Sequence, residues 1–181
     1  MAQEPSKVDA TAYNRLTGSA VLKGIRLVDV RFDMKPEALE HDFRGWKRTL
    51  IGELEDAYVD TERSIILGWL RFEVSFRYRR KRVLAASARY VVTYQVNGSC
   101  EEDIGRLFVE RVGRVSAYPY FRVIIATLAS QAGVQLPPLP MISLQPRSLK
   151  SASNFQPTDI NDGIAQPLQT GRKSVKDRPM K

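Results

Sequence analysis

The stretch "LRFEVSFRYR", residues 70–79, alternates without a break. Leu70, Phe72, Val74, Phe76 and Tyr78 fall on one side, and Arg71, Glu73, Ser75, Arg77 and Arg79 on the other. A period of two belongs to a β-strand with one face against a core and one in water. That pattern is typical of antiparallel sheets, because parallel strands are apolar on both faces. The reading extends outward in both directions. "RRKR" at 79–82 predicts a hairpin tip, and a returning strand follows. In it Ala86, Ala88, Tyr90, Val92, Tyr94 and Val96 oppose Ser87, Arg89, Thr93 and Gln95, until "NGS" at 97–99 stops it. Upstream, Val28, Val30 and Phe32 alternate with Asp29, Arg31 and Asp33, which predicts a half-buried strand ended by Pro36. "RTLIGELEDAYV" at 48–59 mixes apolar and acidic residues and predicts an irregular or bulged strand.

After residue 99 the period changes. Ser99 and Glu102 have the spacing of a capping box, with acidic residues in the first turn. Ile104, Leu107, Phe108 and Val112 then recur at helical spacing. Gly113 predicts a break. A second helix is expected from Pro119, carrying Tyr120, Val123, Ile124 and Leu128 and stopping at Gly133. "LPPLPMISL" that follows must be extended, since its prolines block a helix. Strands grouped before helices indicate an α+β fold: a four-stranded antiparallel sheet followed by two helices. The expected organisation is a polar arm at 1–19, one domain at 20–144 and a disordered basic tail at 145–181.

Composition narrows the function classes. The chain has 181 residues and a net charge of +8, with one cysteine, Cys100, and one histidine, His41. An internal disulfide is impossible, and a Cys/His zinc site lacks ligands. No phosphate-binding glycine loop and no nucleophile elbow occur. Glu53, Glu55 and Asp56 cluster, yet no third partner suggests acid–base chemistry, and they read as a solvated strand face. The expectation is a non-enzyme without cofactor or metal. The start "MAQEPSKVDATAYN" has no apolar core of a signal peptide. Residues 117–129 are interrupted by Arg122 and fall short of the about 20 residues a bilayer requires. A cytoplasmic protein without membrane insertion is expected.

Two surfaces stand out. Arg77, Arg79, Arg80, Lys81 and Arg82 would suit a phosphate backbone, and they give the alternative reading of a nucleic-acid-binding or regulatory module. Cations at a hairpin tip also guard a sheet against aggregation. The strip 118–142 carries more apolar surface than one sheet face needs, so part of it should form an oligomer interface or a groove.

Tyr118-Pro119-Tyr120, then Gly133, Leu136, Pro137, Pro138, Leu139 and Ile142, together with the opening strand "IRLVDVRFDMKP" at 25–36, resemble the SecB protein-export chaperone family over about residues 20–144. The resemblance implies an ATP-independent holdase. Its members assemble as homotetramers, dimers of dimers, and keep unfolded or nascent polypeptides in apolar grooves. It implies Trp46, Tyr118, Tyr120, Ile124, Leu128, Leu136, Leu139 and Ile142 as groove or subunit-interface residues. It also implies Asp29 and Asp33 as a docking site for the SecA motor. The pattern departs at Ala85 and Ser87, where the family usually has a leucine and a glutamate. SecB-like chaperones also protect antitoxins, so an antitoxin is the other expected partner.

Overall fold

The computed structural model describes residues 9–40 and 43–142. The expected tail at 145–181 and His41 lie outside the described residues. The chain runs through helix α1 (Ala10–Ser19), strand β1 (Val21–Met34), the short helix α2 (Glu37–Glu40), a 3-10 turn (Phe43–Gly45), and strands β2 (Lys47–Asp60), β3 (Ile65–Tyr78) and β4 (Lys81–Gln95). It closes with α3 (Glu102–Phe108), a π-helical turn (Val109–Gly113) and α4 (Arg114–Gln131). The four strands form one antiparallel sheet in the order β1-β4-β3-β2. The α+β class and the antiparallel sheet expected from the sequence are therefore present.

The alternation in β3 is real. Ile66, Leu70, Phe72, Val74 and Phe76 are buried on the helix side, with the intervening residues partly or fully open on the other. In β4 the same holds for Leu84, Ala86, Ala88, Tyr90, Val92 and Tyr94. β2 carries the expected irregularity, a register shift between Leu54 and Asp56 that leaves Glu55 as the extra residue. β1 departs from the simple reading. It is an edge strand with two register shifts, one of them at Val28. Val28 and Val30 are exposed, and only Phe32 of the predicted apolar face packs against the core.

The turn between β3 and β4 has two residues, Arg79 and Arg80, both at positive φ (44° and 70°). Two positive φ values match a type I′ hairpin turn, a position that favours Asn-Gly. Here two arginines occupy it, a conformation non-glycine residues adopt at a cost.

Within the segment read as a polar arm, residues 10–19 form α1. Asp9 caps it by accepting from the Thr11 N–H at 2.9 Å. Leu16 is buried in the core, and the Arg111 guanidinium lies 5.7 Å from the Tyr13 ring centroid. The isolated Leu16 among polar residues gave no sequence signal strong enough to predict this helix.

The two predicted helices are one. Gly113 does not break the chain; it closes the π-helical turn that joins α3 to α4, and Pro119 lies inside α4 on its exposed side. Ser99 does not cap: the N-cap is Glu101, without a side-chain capping bond. The far end behaves as expected. Gly133 has φ 73°, Val134 N–H donates to Ala129 C=O at 2.9 Å and Gly133 N–H to Ser130 C=O at 3.1 Å, a Schellman motif.

The π turn also sets which face of α4 is buried. Val109, Gly113, Ala117, Phe121, Ile125 and Ala129 point into the core, with Tyr118 beside them. The predicted stripe splits: Tyr120 and Val123 point outward, and Ile124 packs against the rim of the core. An extra residue in the π turn rotates everything after it about the helix axis.

Close approach of helix to sheet depends on glycine. A methyl group at Gly68 of β3 would collide with the Val109 side chain, and one at Gly113 would stand 3.3 Å from Val92. Gly68→Ala is expected to lower unfolding stability by about 1–3 kcal/mol, the usual penalty for overpacking. Val109→Ala in the same chain should recover part of that loss. Denaturant unfolding of the two single variants and the double variant checks it. Simple additivity within about 0.5 kcal/mol would show that this contact does not limit the packing.

Candidate functional site

The core centres on Phe72. Its ring stacks on Phe121 (centroids 5.4 Å apart, planes at 25°) and meets Tyr118 at 5.8 Å and Tyr90 at 6.2 Å. α4 therefore lies over the middle of the sheet, against β3 and β4, and leaves the margins less covered.

One margin is closed by the proline-rich strip. After the Schellman turn the chain doubles back along α4, Val134 beside Ala129 and Pro140 beside Tyr118. The Tyr118 hydroxyl donates to Pro140 C=O at 2.8 Å, and Arg48 of β2 donates through Nη1 to Pro138 C=O at 3.2 Å. Val134 and Leu139 are buried under it, and Leu136 and Ile142 pack against the core from its rim. Polyproline-like backbone has carbonyls but few N–H groups, so a strap of this kind is held by donors from elsewhere. Here they are a tyrosine and an arginine. Burial raises the Tyr118 pKa to about 12, against the smaller opposing pull of Arg122 and Arg48. Burial likewise lowers that of Arg48.

The eight apolar candidates divide by burial. Tyr118 and Leu139 are core side chains of the protomer. Trp46, Ile124, Leu136 and Ile142 are half-buried against the core, and Leu128 is half-buried on α4. The Trp46 ring is 5.9 Å from that of Phe76, and its Nε1 is buried without a hydrogen-bond partner among the described residues. Tyr120 is 54% exposed.

Sequence reasoning missed other exposed apolar side chains. Val123, one turn from Tyr120, is 66% exposed, so α4 carries a second apolar stripe facing away from the sheet. Along β1, Val21, Leu22, Leu27, Val28 and Val30 are also exposed. Leu27 opposes Tyr90 and Val30 opposes Ala88, which places both on the helix side, beyond the cover of α4. The signal was the surplus of apolar residues; the helical phase and the bulges hid its location.

Asp29 and Asp33 lie on the opposite, outer face, in register with Arg89 and Ala85. Asp29 pairs with Arg31 at 3.4 Å. Also on this face, Glu55 is held by Arg89 at 2.7 Å and Glu73 by Arg71, while Asp56, next to Glu55 in the β2 acidic cluster, is exposed beside Arg106 at 4.0 Å. Among the described residues no group of His, Cys, Asp and Glu could hold a metal ion. Cys100 is half-buried, and burial first, then Glu101, raise its thiol pKa. Arg77, Arg79, Arg80, Lys81 and Arg82 are all exposed at the β3–β4 end, with Arg79 5.3 Å from the Tyr78 ring centroid. No described helix is long and apolar enough to cross a membrane.

A SecB-like chaperone from Mycobacterium tuberculosis, solved in complex with a peptide from an antitoxin, superposes with a TM-score of 0.62, covering 74% of this chain and 97% of the other. The chain has a SecB-like fold. Sequence identity to that chaperone is 18%. A protein of unknown function from Streptococcus agalactiae aligns at 10% identity over 70% of this chain and 96% of its own, with a TM-score of 0.24, too low to bear on the fold. No protein-family model and no curated protein matches the sequence.

Two predictions concern the strap that completes this SecB-like fold. Tyr118→Phe should cost about 1 kcal/mol, the net value of a hydrogen bond, and speed proteolysis within 134–142. Tyr118 and Tyr90 both have folded-state pKa values near 12 against an ordinary value of 10.0. The unfolded chain thus loses these protons first. Stability should be unaffected below about pH 10 and fall between pH 10 and 12. Unfolding midpoints measured across that window, compared between wild type and Tyr118→Phe, check the assignment. An equally steep fall in the variant would exclude Tyr118 as a contributor.

Proposed function

We propose that this protein is an ATP-independent holdase that binds unfolded or nascent polypeptide segments. The observation that carries this reading is the second apolar stripe of α4, Tyr120 and Val123, together with the open helix side of β1 at Leu27 and Val30. A complete core already exists beneath them, so this surface is not needed to fold one protomer. Contact through apolar side chains and the free main-chain edge of β1 demands no particular partner sequence, which suits a chaperone of many clients. Holding a client shifts its folding equilibrium by mass action and needs no cofactor. The similarity to a chaperone solved with an antitoxin peptide supports the same reading. Trp46, Leu128, Leu136 and Ile142, half-exposed around α4 and the strap, are its accessory contacts.

In this reading the protein acts in the cytoplasm as a homotetramer, a dimer of dimers, and serves either protein export through SecA or an antitoxin. Asp29 and Asp33 would be the SecA-facing groups. Both carboxylates lie on the outer face, away from the apolar surface, so a client and a motor would not compete.

Purified protein should suppress aggregation of a chemically unfolded client at stoichiometric amounts without ATP. Failure to do so overturns the proposal. Tyr120→Ser with Val123→Ser should reduce suppression severalfold while the thermal midpoint of the protomer changes little, because both side chains are exposed. Sedimentation of the same variant separates two roles. Loss of suppression with assembly intact assigns the stripe to clients, and loss of assembly assigns it to the subunit interface.

A further inference from the structure

Beside Asp33, the outer face of the sheet carries a row of cations the chaperone reading does not use. Strand register aligns Arg82 of β4, Arg77 of β3 and Lys47 of β2 side by side in one row across the sheet. Three cations on adjacent strands repel one another. Among the described residues no acidic side chain pairs with any of them. The next row inward is Ala85, Ser75 and Thr49, all small, with Asp33 at its β1 end. The row beyond holds Arg31, Ser87, Glu73 and Ile51. The result is a shallow trough of about 420 Å³ running across the strands, with a floor of small side chains, Arg77 and Arg82 in its wall toward the hairpin tip, and Lys47 beyond its rim. Just past that wall stand Arg79 and Arg80 in their positive-φ turn. A repelling row and a strained arginine turn, one beside the other, both oppose folding.

We propose that this trough is a docking site for an extended, acidic peptide segment of a partner protein. Four strands span about 14 Å, the length of four to five extended residues. Arginine engages carboxylates through two parallel hydrogen bonds, and the Ser75 and Thr49 hydroxyls on the floor can donate further ones. Glutamates on one side of such a segment would face Arg82, Arg77 and Lys47 and relieve their mutual repulsion. A nucleic acid fits less well. Single-stranded binding surfaces rely on aromatic platforms for bases. No aromatic lines this trough: Tyr78 packs against the core on the helix side, and Trp69 and Tyr58 lie at the opposite end of the outer face. The site is separate from the apolar surface, so it stands or falls independently of the holdase activity.

The test uses the full-length protein and a short fluorescent peptide alternating Glu and Ser, followed by anisotropy. Binding is expected, weakening steeply with salt and absent for the Lys–Ser counterpart. Arg77→Ser with Arg82→Ser should weaken it by about tenfold or more, as loss of charge-assisted hydrogen bonds implies. Ser75→Glu, which places a carboxylate on the floor, should do the same. Because the first pair removes repulsion, that variant should melt no lower than wild type, so a folding defect would be recognised. Aggregation suppression should be unchanged in all of them. The proposal is overturned if the acidic peptide does not bind, if the variants bind it as well as wild type, or if a labelled oligothymidylate binds more tightly than the peptide.

Discussion

The contact between Gly68 of β3 and Val109 at the π turn governs this molecule. It lets the long helix approach the sheet more closely than any side chain at position 68 would allow. With the helix at that depth, Phe121 reaches Phe72 and stacks on it, and Tyr118 and Tyr90 close around the same ring. Burial of a large apolar side chain contributes about 1.5–3 kcal/mol, so this cluster is a major source of cohesion. The same closeness limits coverage. A single helix seated over β3 and β4 cannot shield four strands. The β2 margin is completed by a proline-rich strap tied down by Tyr118 and Arg48. The β1 margin is left open, with exposed apolar side chains along it.

The two faces of the sheet follow different physics. On the helix side the packing is dominated by apolar contacts, with a few hydrogen bonds such as Tyr118 to Pro140 at its rim, and among the described residues no polar or charged residue is buried. Such a surface discriminates little among partners and suits transient holding of unfolded segments. The outer side is built of ions in register. Arg71 with Glu73, Arg89 with Glu55 and Arg31 with Asp29 neutralise each other at its centre. Toward the hairpin tip that compensation stops, leaving Arg82, Arg77 and Lys47 aligned. Ion pairs on an exposed sheet contribute little to stability, so such a pattern is freer to serve recognition than the core is.

Strand existence and sheet class were legible because side-chain direction in a strand repeats every two residues, and β3, and β4 from Leu84 onward, obey that rule. The hairpin, the bulge in β2 and the helix stop at Gly133 were legible for similarly local reasons. The candidate site was legible only as a surplus of apolar residues. α4 has two apolar stripes, and periodicity cannot choose between them. The π turn chose, by rotating Ala117, Phe121 and Ile125 inward and Tyr120 and Val123 outward. Tyr118 and Leu139, strong candidates by residue type, are core because the strap folds back, covering Tyr118 and burying its own Leu139.

By itself the sequence determined the four strands and the helical region after residue 99, though not helix α1, as well as the antiparallel α+β class, the lack of a cysteine–histidine metal set and the presence of excess apolar and basic surface. These follow from local periodicity and composition, which each segment carries wherever it lies. Tertiary structure alone decided the strand order, the joining of two helices into one, the buried face of α4, the open margin at β1 and the cation row across three strands. Those depend on which residues become neighbours across long stretches of chain. Neighbourhood of that kind is set by a close approach at one glycine and by register between strands, and neither leaves a pattern in the linear order of residues.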